Sequence, residues 1–354
     1  MSNLQLEEVM RRESGVSKAV VWSAVGAGLL VAARAAAQSV RQFDFRGKVV
    51  LIAGNSRGLG LALARELVHD GAQVAITARE QELSTAKSDL QALGGTVFST
   101  ACDLRDRASV DQMTARVLEH YGRIDVLINN AGVISVGPLE EMTLEDFREA
   151  MDANFWSMVY TTFAVLPDMK SRRSGRIVNI TSIGGKIAVP HLLPYSASKF
   201  AAVGFSHGLR REAAKTGVLV TTVVPGLMRT GSPRDANFKG QNEREYGWFG
   251  IADSLPGLSM AAEDAARQIL EGTRRGVTEI TLSLPAKFGV LVNTLMPELT
   301  GDLLMAVSHF LPGPGGIGRN SAKGVESFSE ASPSLVTTLS EQTAVVNNEI
   351  CRSS

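Results

Sequence analysis

Between residues 49 and 282 the chain repeats one pattern. Short runs in which nearly every position is apolar or β-branched alternate with longer stretches of helical periodicity. The runs are VVLIA at 49–53, QVAITA at 73–78, TVFST at 96–100, IDVLIN at 124–129, RIVNI at 176–180, LVTTVV at 219–224 and EITL at 279–282. A strand with one wet face alternates apolar and polar side chains, whereas a strand covered on both faces does not. All seven therefore read as buried strands. Helical patterns at 59–70, 81–93, 108–121 and 143–170 separate them. Such alternation predicts βαβ units and hence an α/β fold, a doubly wound Rossmann-type parallel sheet of about seven strands with helices on both faces. Ligands of such sheets bind beyond the carboxyl ends of the strands.

Both ends of the chain depart from this pattern. Ala19 to Ala33 is an uncharged, largely apolar run inside an N-terminal extension, 1–45, whose first 15 residues are polar and charged, with Arg11, Arg12, Lys18, Arg34 and Arg41 around it. Its 15 residues fall short of the roughly 20 needed to span a bilayer, and basic residues on both sides leave orientation unread. The run reads as a membrane anchor or interfacial helix, as a helix packed on protein, or as an export signal ending near 35–37. After the α/β region 46–284, residues 285–319 hold two apolar helical stretches, 286–296 and 303–311, broken around Pro297. Phe288, Leu291, Val292 and Leu295 share one face there. Such helices would lie on a membrane, cover a pocket or pack between subunits. Residues 320–354 are rich in Ser, Glu and Thr, a composition that predicts disorder.

Composition narrows the function classes. Lys plus Arg equals Asp plus Glu, 36 each, so no basic surplus points to nucleic acid. The two cysteines, Cys102 and Cys351, lie at a strand end and in the polar tail. A disulfide between them is not expected, and reduced thiols fit a cytoplasmic location. The five histidines are scattered, none at metal-ligand spacing with a Cys or acid, so no metal site is expected.

Candidate chemistry gathers at the strand ends. Gly54, Gly58 and Gly60 follow the first strand and open a helix. Glycines at such a turn allow close approach of a pyrophosphate, and the helix N-terminus offers free N–H groups. Ser56, Arg57 and Leu59 belong to the same loop. The second strand ends at Ala78-Arg79. An acid there would bind the adenosine ribose of NAD, whereas Arg57 and Arg79 suit a 2′-phosphate, favouring NADP over NAD. Asp103 follows the third strand, where it would accept from adenine or cap the next helix. Asn129 and Ala131 end the fourth strand; small residues there let a ribose approach, and an Asn can tie strands together. Ser182 ends the fifth strand, and Tyr195 and Lys199, four apart, share a helix face. A phenol with a pKa near 10 needs a nearby positive charge to act as a base.

Together these residues resemble the short-chain dehydrogenase/reductase family, over about residues 46–284. The matching motifs are Gly54/Gly58/Gly60, Asn129–Gly132, Ser182, Tyr195-x-x-x-Lys199 and Pro225-Gly226, with Asn154 at the position of the family's fourth catalytic residue. Ala53 departs from the usual threonine. The resemblance implies an NADP-dependent oxidoreductase moving hydride between nicotinamide and a carbonyl or secondary alcohol. Tyr195 would exchange the proton, Ser182 hold the oxygen, Lys199 bind the nicotinamide ribose, and Asn154 seat a relay water. It also implies a homo-oligomer. The alternative is a non-catalytic NADP sensor or membrane scaffold with the same fold. Residues 227–260 carry Phe238, Tyr246, Trp248, Phe249, Leu255 and Leu258, unusually aromatic in a chain with 6% aromatics. They form a lid for a hydrophobic substrate or pack on one another. His191 would orient substrate or sit in a surface loop.

Overall fold

The structure is a computed structural model. It describes residues 41–54, 57–78, 80–254, 257, 259–328 and 347, with scattered positions between 22 and 39. Ser56, Arg79, Leu255, Leu258, much of the apolar run 19–33 and most of the tail after 328 lie outside the described residues. There are two compact units, Met1–Phe43 and Asp44–Ser354. In the first, the described residues from Trp22 to Ser39 are helical, and Trp22, Val25 and Leu29 are exposed.

In the second unit the seven expected strands form one sheet. They are β1 (Val49–Ala53), β2 (Gln73–Ala78), β3 (Thr96–Ala101), β4 (Val126–Asn129), β5 (Gly175–Ile180), β6 (Val218–Val224) and β7 (Glu279–Thr281). Their order is β7-β6-β5-β4-β1-β2-β3 and every neighbouring pair is parallel. The chain reverses direction across the sheet between β1 and β4, which is where such sheets open a crevice. Register brings the strand ends level. Ala53 stands opposite Thr77 and Asn129, and Asn129 opposite Asn179. The loops that leave these strands therefore emerge along one edge of the sheet.

Leu51 and its neighbours Val50 and Ile52 are all fully buried, though they point to opposite faces. On the Leu51 face, α3 (Arg107–Tyr121), α5 (Ser157–Ser171) and α6 (Leu193–Ala213) pack through Val110, Met113, Val117, Val165, Met169 and Ala213. Elsewhere α1 (Gly58–His69) and α9 (Ala262–Arg274) lie against each other, and α2 (Glu80–Ala92) joins β2 to β3.

Three local features differ from the expectation. The pattern 143–170 predicts one helix. The structure has α4 (Leu144–Met151), a π-turn over Asp152–Trp156, and α5. Its start is fixed by a capping box between Thr143 and Asp146. In the C-terminal pair, Pro297 opens the second helix instead of only ending the first, as its fixed φ allows. The helices are α10 (Leu284–Leu295) and α11 (Pro297–Ser308), bent by 117°. The expected disorder from Asn320 does not extend over 322–328. Ala322–Lys323 pair antiparallel with Asn237–Phe238, which pair in turn with Ser135–Val136. Backbone pairing with a lid strand orders a segment whose composition alone predicts none.

Candidate active site

β1 delivers the chain into Gly54 at φ +84°, and a Cβ there would lie 2.7 Å from the Ala131 Cα. Only glycine fits. The Ala53 carbonyl accepts from both Asn130 N–H (3.0 Å) and Ala131 N–H (2.9 Å). The Asn130 side chain donates to the Gly54 carbonyl. Asn130 thus braces the loop, a task Ala53 cannot do without a hydroxyl. The motif Asn129–Gly132 contains Asn130 but gives it no task of its own.

Gly58, Leu59 and Gly60 open α1, buried and with no side-chain cap. No side chain from the N-cap takes their N–H groups. The Gly58 N–H donates to the backbone oxygen of Asn347 at 3.0 Å, so this helix start already takes an oxygen where a phosphate oxygen would bind. A turn that admits only glycine, followed by an uncapped helix start, fits a dinucleotide pyrophosphate. Arg57 pairs with Asp235 at 2.9 Å, tying the glycine loop to the short lid helix α7 (Ser232–Asp235).

Asp103 does not cap α3. Its carboxylate accepts from the Arg105 guanidinium at 2.9 and 3.0 Å, and Asp106, nearer the helix, accepts from Ala108 N–H and Ser109 N–H instead. Asn129 turns inward. It donates to Asn179 (2.8 Å) and accepts from Thr161 (2.6 Å). Asn179 donates on to Ser206, which bonds Thr222. This buried polar chain links β4, β5 and β6 to α5 and α6. It sets the helix bearing Tyr195 and Lys199 against the strand that ends at Ser182. Asn129 is thus a strand tie. Pro225 O accepts from the Ile183 N–H at 2.7 Å, and a Cβ on Gly226 would lie 3.0 Å from Ala286 Cβ.

At the chemical end the four expected residues converge. Ser182 accepts from the Gly184 N–H at 3.0 Å, and its side chain hydrogen-bonds Tyr195. Lys199, one turn after Tyr195, places Nζ 5.8 Å from the tyrosine ring centroid and donates to the Ile180 carbonyl at 3.3 Å. Asn154 sits in the π-turn. It accepts from Val133 N–H (2.8 Å) and donates to Val133 O (3.0 Å) and Ser198 Oγ (2.9 Å). A Cβ on Gly132 would lie 2.9 Å from Asn154 Oδ1 and 3.4 Å from Lys199 Nζ, so both side chains border the same small space.

Burial governs the electrostatics here. It pushes the Tyr195 phenol up to about 12, against the Ser182 hydrogen bond and with help from the Asp253 charge. It lowers the Lys199 ammonium to about 8. The Tyr-Lys spacing predicts a lowered phenol. Without a bound cation the chain alone does the reverse, because desolvation of the phenolate outweighs its neighbours.

The lid holds residues that sequence patterns missed or misplaced. Phe238, Tyr246 and Phe249 stack edge to face and pack with Leu192 against Tyr195. They are the lid's own core. His191 does not sit in a surface loop as a free side chain. At φ +62° it bonds Glu245 at 2.8 Å, and the fully buried Glu245 also accepts from the Trp248 indole at 2.6 Å. On α8 (Asn242–Ser254) the buried acid Asp253 lies one turn past Phe249 and two past Tyr246, and its charge acts on the Tyr195 phenol. Burial raises its carboxyl to about 7. No periodicity marks it in sequence, where it is one acid among the aromatic and apolar residues of the lid.

Residues 48–239 match the family described as short chain dehydrogenase. The chain belongs to the short-chain dehydrogenase/reductase family. Oxidoreductase BOA17 of Botryotinia fuckeliana is 33% identical over 261 residues, 73% of this chain and 88% of that one. The dehydrogenase/reductase SDR family member 7C of Bos taurus is 33% identical over 275 residues, covering 72% and 83%. Among solved structures, a variant of the actinorhodin polyketide ketoreductase with NADPH aligns at TM-score 0.61 and 32% identity, covering 67% and 96%. A family member from Burkholderia phymatum with NAD, 24% identical, shares the fold at TM-score 0.65. This short-chain dehydrogenase/reductase is accordingly an NAD(P)-dependent enzyme. Its matched span holds Gly54, Asn154, Ser182, Tyr195 and Lys199, and stops before Glu245, Asp253 and α10.

Proposed function

We propose that the protein moves hydride between NADP(H) and the carbonyl or secondary alcohol carbon of a small hydrophobic substrate, with Tyr195 as general acid and base. The observation that carries this is the Tyr195 phenol bonded to the Ser182 hydroxyl, with the buried Lys199 ammonium 5.8 Å from the tyrosine ring centroid. When bound, the nicotinamide supplies or accepts the hydride at C4. The rest falls to the chain. Ser182 donates to the substrate oxygen and fixes it beside the phenol. Tyr195, protonated at neutral pH, gives its proton to that oxygen in reduction and takes one back in oxidation. Lys199 bonds the ribose and stabilises the phenolate left behind. Asn154, bordering the space beside Lys199, would seat the relay water.

The cofactor, the substrate and the assembly each have support of their own. Ala78 leaves no acid to repel a 2′-phosphate, and Arg79, with Arg57 once it turns from Asp235, would supply positive charge, so NADP is preferred; the actinorhodin ketoreductase was solved with NADPH. The aromatic lid core against Tyr195 favours an apolar substrate. Trp156 and Phe163, exposed on one face of the α5 region with Tyr160 stacked on Trp156, suit a homo-oligomer interface.

The deciding experiment is NADPH oxidation against a panel of ketones and aldehydes with Tyr195→Phe as control. Loss of about 10²–10⁴-fold is expected for removal of a general acid. Undiminished turnover would overturn the mechanism, and tight NADPH binding with no turnover of any carbonyl would favour a sensor. Replacing Arg57 and Arg79 by alanine should raise KM for NADPH far more than for NADH.

A further inference from the structure

Two helices near the end of the chain are almost uncovered. α10 buries only Ala286, and α11 buries nothing. On α10, Leu284, Phe288, Leu291 and Leu295 recur at i, i+4, i+7 and i+11, one stripe along the helix. Leu299 and Leu303 continue it along α11 and Phe310 follows just past its end, and each of these seven side chains is more than half exposed. A helix of 12 residues is marginal alone in water. Packing of an apolar face normally secures it, yet here that face turns away from the body.

The opposite face of α10 meets the body at the active site. A Cβ on Gly289 would lie 3.5 Å from Ile187 Cδ1 and 3.9 Å from Ile183 Cδ1. The Asn293 amide donates to the Lys186 carbonyl at 3.1 Å. Ile183 directly follows Ser182. The hairpin is thus rooted on the loop that leaves the catalytic serine, while its outer face is apolar.

We propose that the α10–α11 hairpin docks on a lipid bilayer, and that the substrate reaches Tyr195 from the lipid along the wall made by α10 and the loop Ile183 to Ile187. Delivery rests on the carbonyl-reduction reading above; docking does not. Three observations select a bilayer over a protein partner. First, no single described helix is long and apolar enough to cross a membrane, but these two pass that test together. Each spans about 18 Å against a hydrocarbon core of about 30 Å, and the 117° bend lays the pair in one leaflet. Second, the stripe carries no polar side chain; Lys287, Glu298 and Asp302 lie off it. A protein interface of this extent would bring a polar rim and hydrogen bonds. Third, the other unit of the chain has a stripe of its own. Trp22, Val25 and Leu29 are exposed at i, i+3 and i+7, with Lys18, Arg34 and Arg41 flanking them in sequence, a pattern that suits an anionic lipid surface.

Flotation of the full chain with phosphatidylcholine vesicles holding roughly a fifth phosphatidylglycerol tests docking without turnover. The variant combines Phe288→Ser, Leu291→Ser, Leu303→Ser and Phe310→Ser; Trp22→Ser with Leu29→Ser is run beside it. The hairpin variant should float at least about tenfold less. It should keep the wild-type circular dichroism, melting temperature and turnover of a short water-soluble ketone, and lose turnover of a long-chain ketone held in the vesicles. Equal flotation of variant and wild type, or none by wild type, overturns docking. A wild type that does not float, with a hairpin variant that falls to monomer in sedimentation velocity, gives the stripe to a second copy instead. Flotation that depends on the hairpin, with no ketone reduced by wild type, ends delivery and the carbonyl reading but leaves docking standing.

Discussion

Asp253→Asn separates the stability of this enzyme from its activity. The carboxyl is 7% exposed, and no described residue hydrogen-bonds it. Burial alone moves it from 3.8 to about 7. The folded protein thus binds this proton more tightly than the unfolded chain does. Below pH 3.8 the acid is neutral in both states and costs nothing. As pH rises towards 7, the unfolded chain ionises first and stability falls. Above 7 both states are ionised and the full penalty stands. At about 1.4 kcal/mol per pH unit, a rise from 3.8 to about 7 amounts to about 4 kcal/mol, a ceiling that local relaxation reduces. Asparagine keeps the shape without the charge. Urea unfolding at pH 4 and at pH 8 should show near-equal stability at the lower pH and a variant more stable by about 2–4 kcal/mol at the higher one. Turnover should fall if the carboxyl serves the substrate beside Tyr195. A variant less stable at pH 8, or a difference that does not grow with pH, would refute the reasoning.

Other consequences can be measured separately. Gly54→Ala should cost about 1–2 kcal/mol for the left-handed backbone alone and weaken NADPH binding, read by cofactor fluorescence, because its Cβ collides with Ala131. Lys239→Met removes the counter-ion that Asp146 contacts at 2.6 Å with both side chains buried, leaving the carboxylate only its Thr143 bonds. Burial would raise the Asp146 carboxyl, but the Lys239 and Thr143 bonds outweigh it and hold it low. A loss of about 3–5 kcal/mol in chemical unfolding near neutral pH is expected, as for other broken buried pairs. This stabilisation should fade in the parent as pH drops through the lowered Asp146 range. Asn129→Ala leaves Asn179 and Thr161 short of partners and should lower stability by about 1–3 kcal/mol, with a falling kcat as α6 loses its seat.

Five strands were legible because both their faces are buried, so their composition is nearly continuous; β3 and β7, at the two edges of the sheet, are only partly covered and were legible from their β-branched and apolar residues, not as the fully buried strands expected. The four chemical residues were legible because each needs a fixed side-chain type at a fixed place. What escaped prediction depends on contacts between distant segments. Asp106 took the cap expected of Asp103 because the helix begins one residue after it. His191 found Glu245, 54 positions away, where no local pattern could point. Asp253 looks like any solvated acid until α8 folds onto Tyr195. Residues 322–328 are polar, and only the edge offered by Asn237–Phe238 orders them.

The π-turn at Asp152–Trp156 bears on how this sequence can change length. A π-turn is a helix with one residue too many. Removing any one of the five would let α4 and α5 run on as a single regular helix, with better backbone bonding than before. It would also rotate the two halves by about 100° against each other. Asn154 could then no longer face Val133 and Ser198 while Thr161 still faces Asn129. In a comparison of related chains this stretch should therefore read as helix yet refuse insertions and deletions, as an active-site loop would. Its irregularity is inherited as a count of residues, and a designer who straightened the helix for stability would lose the asparagine.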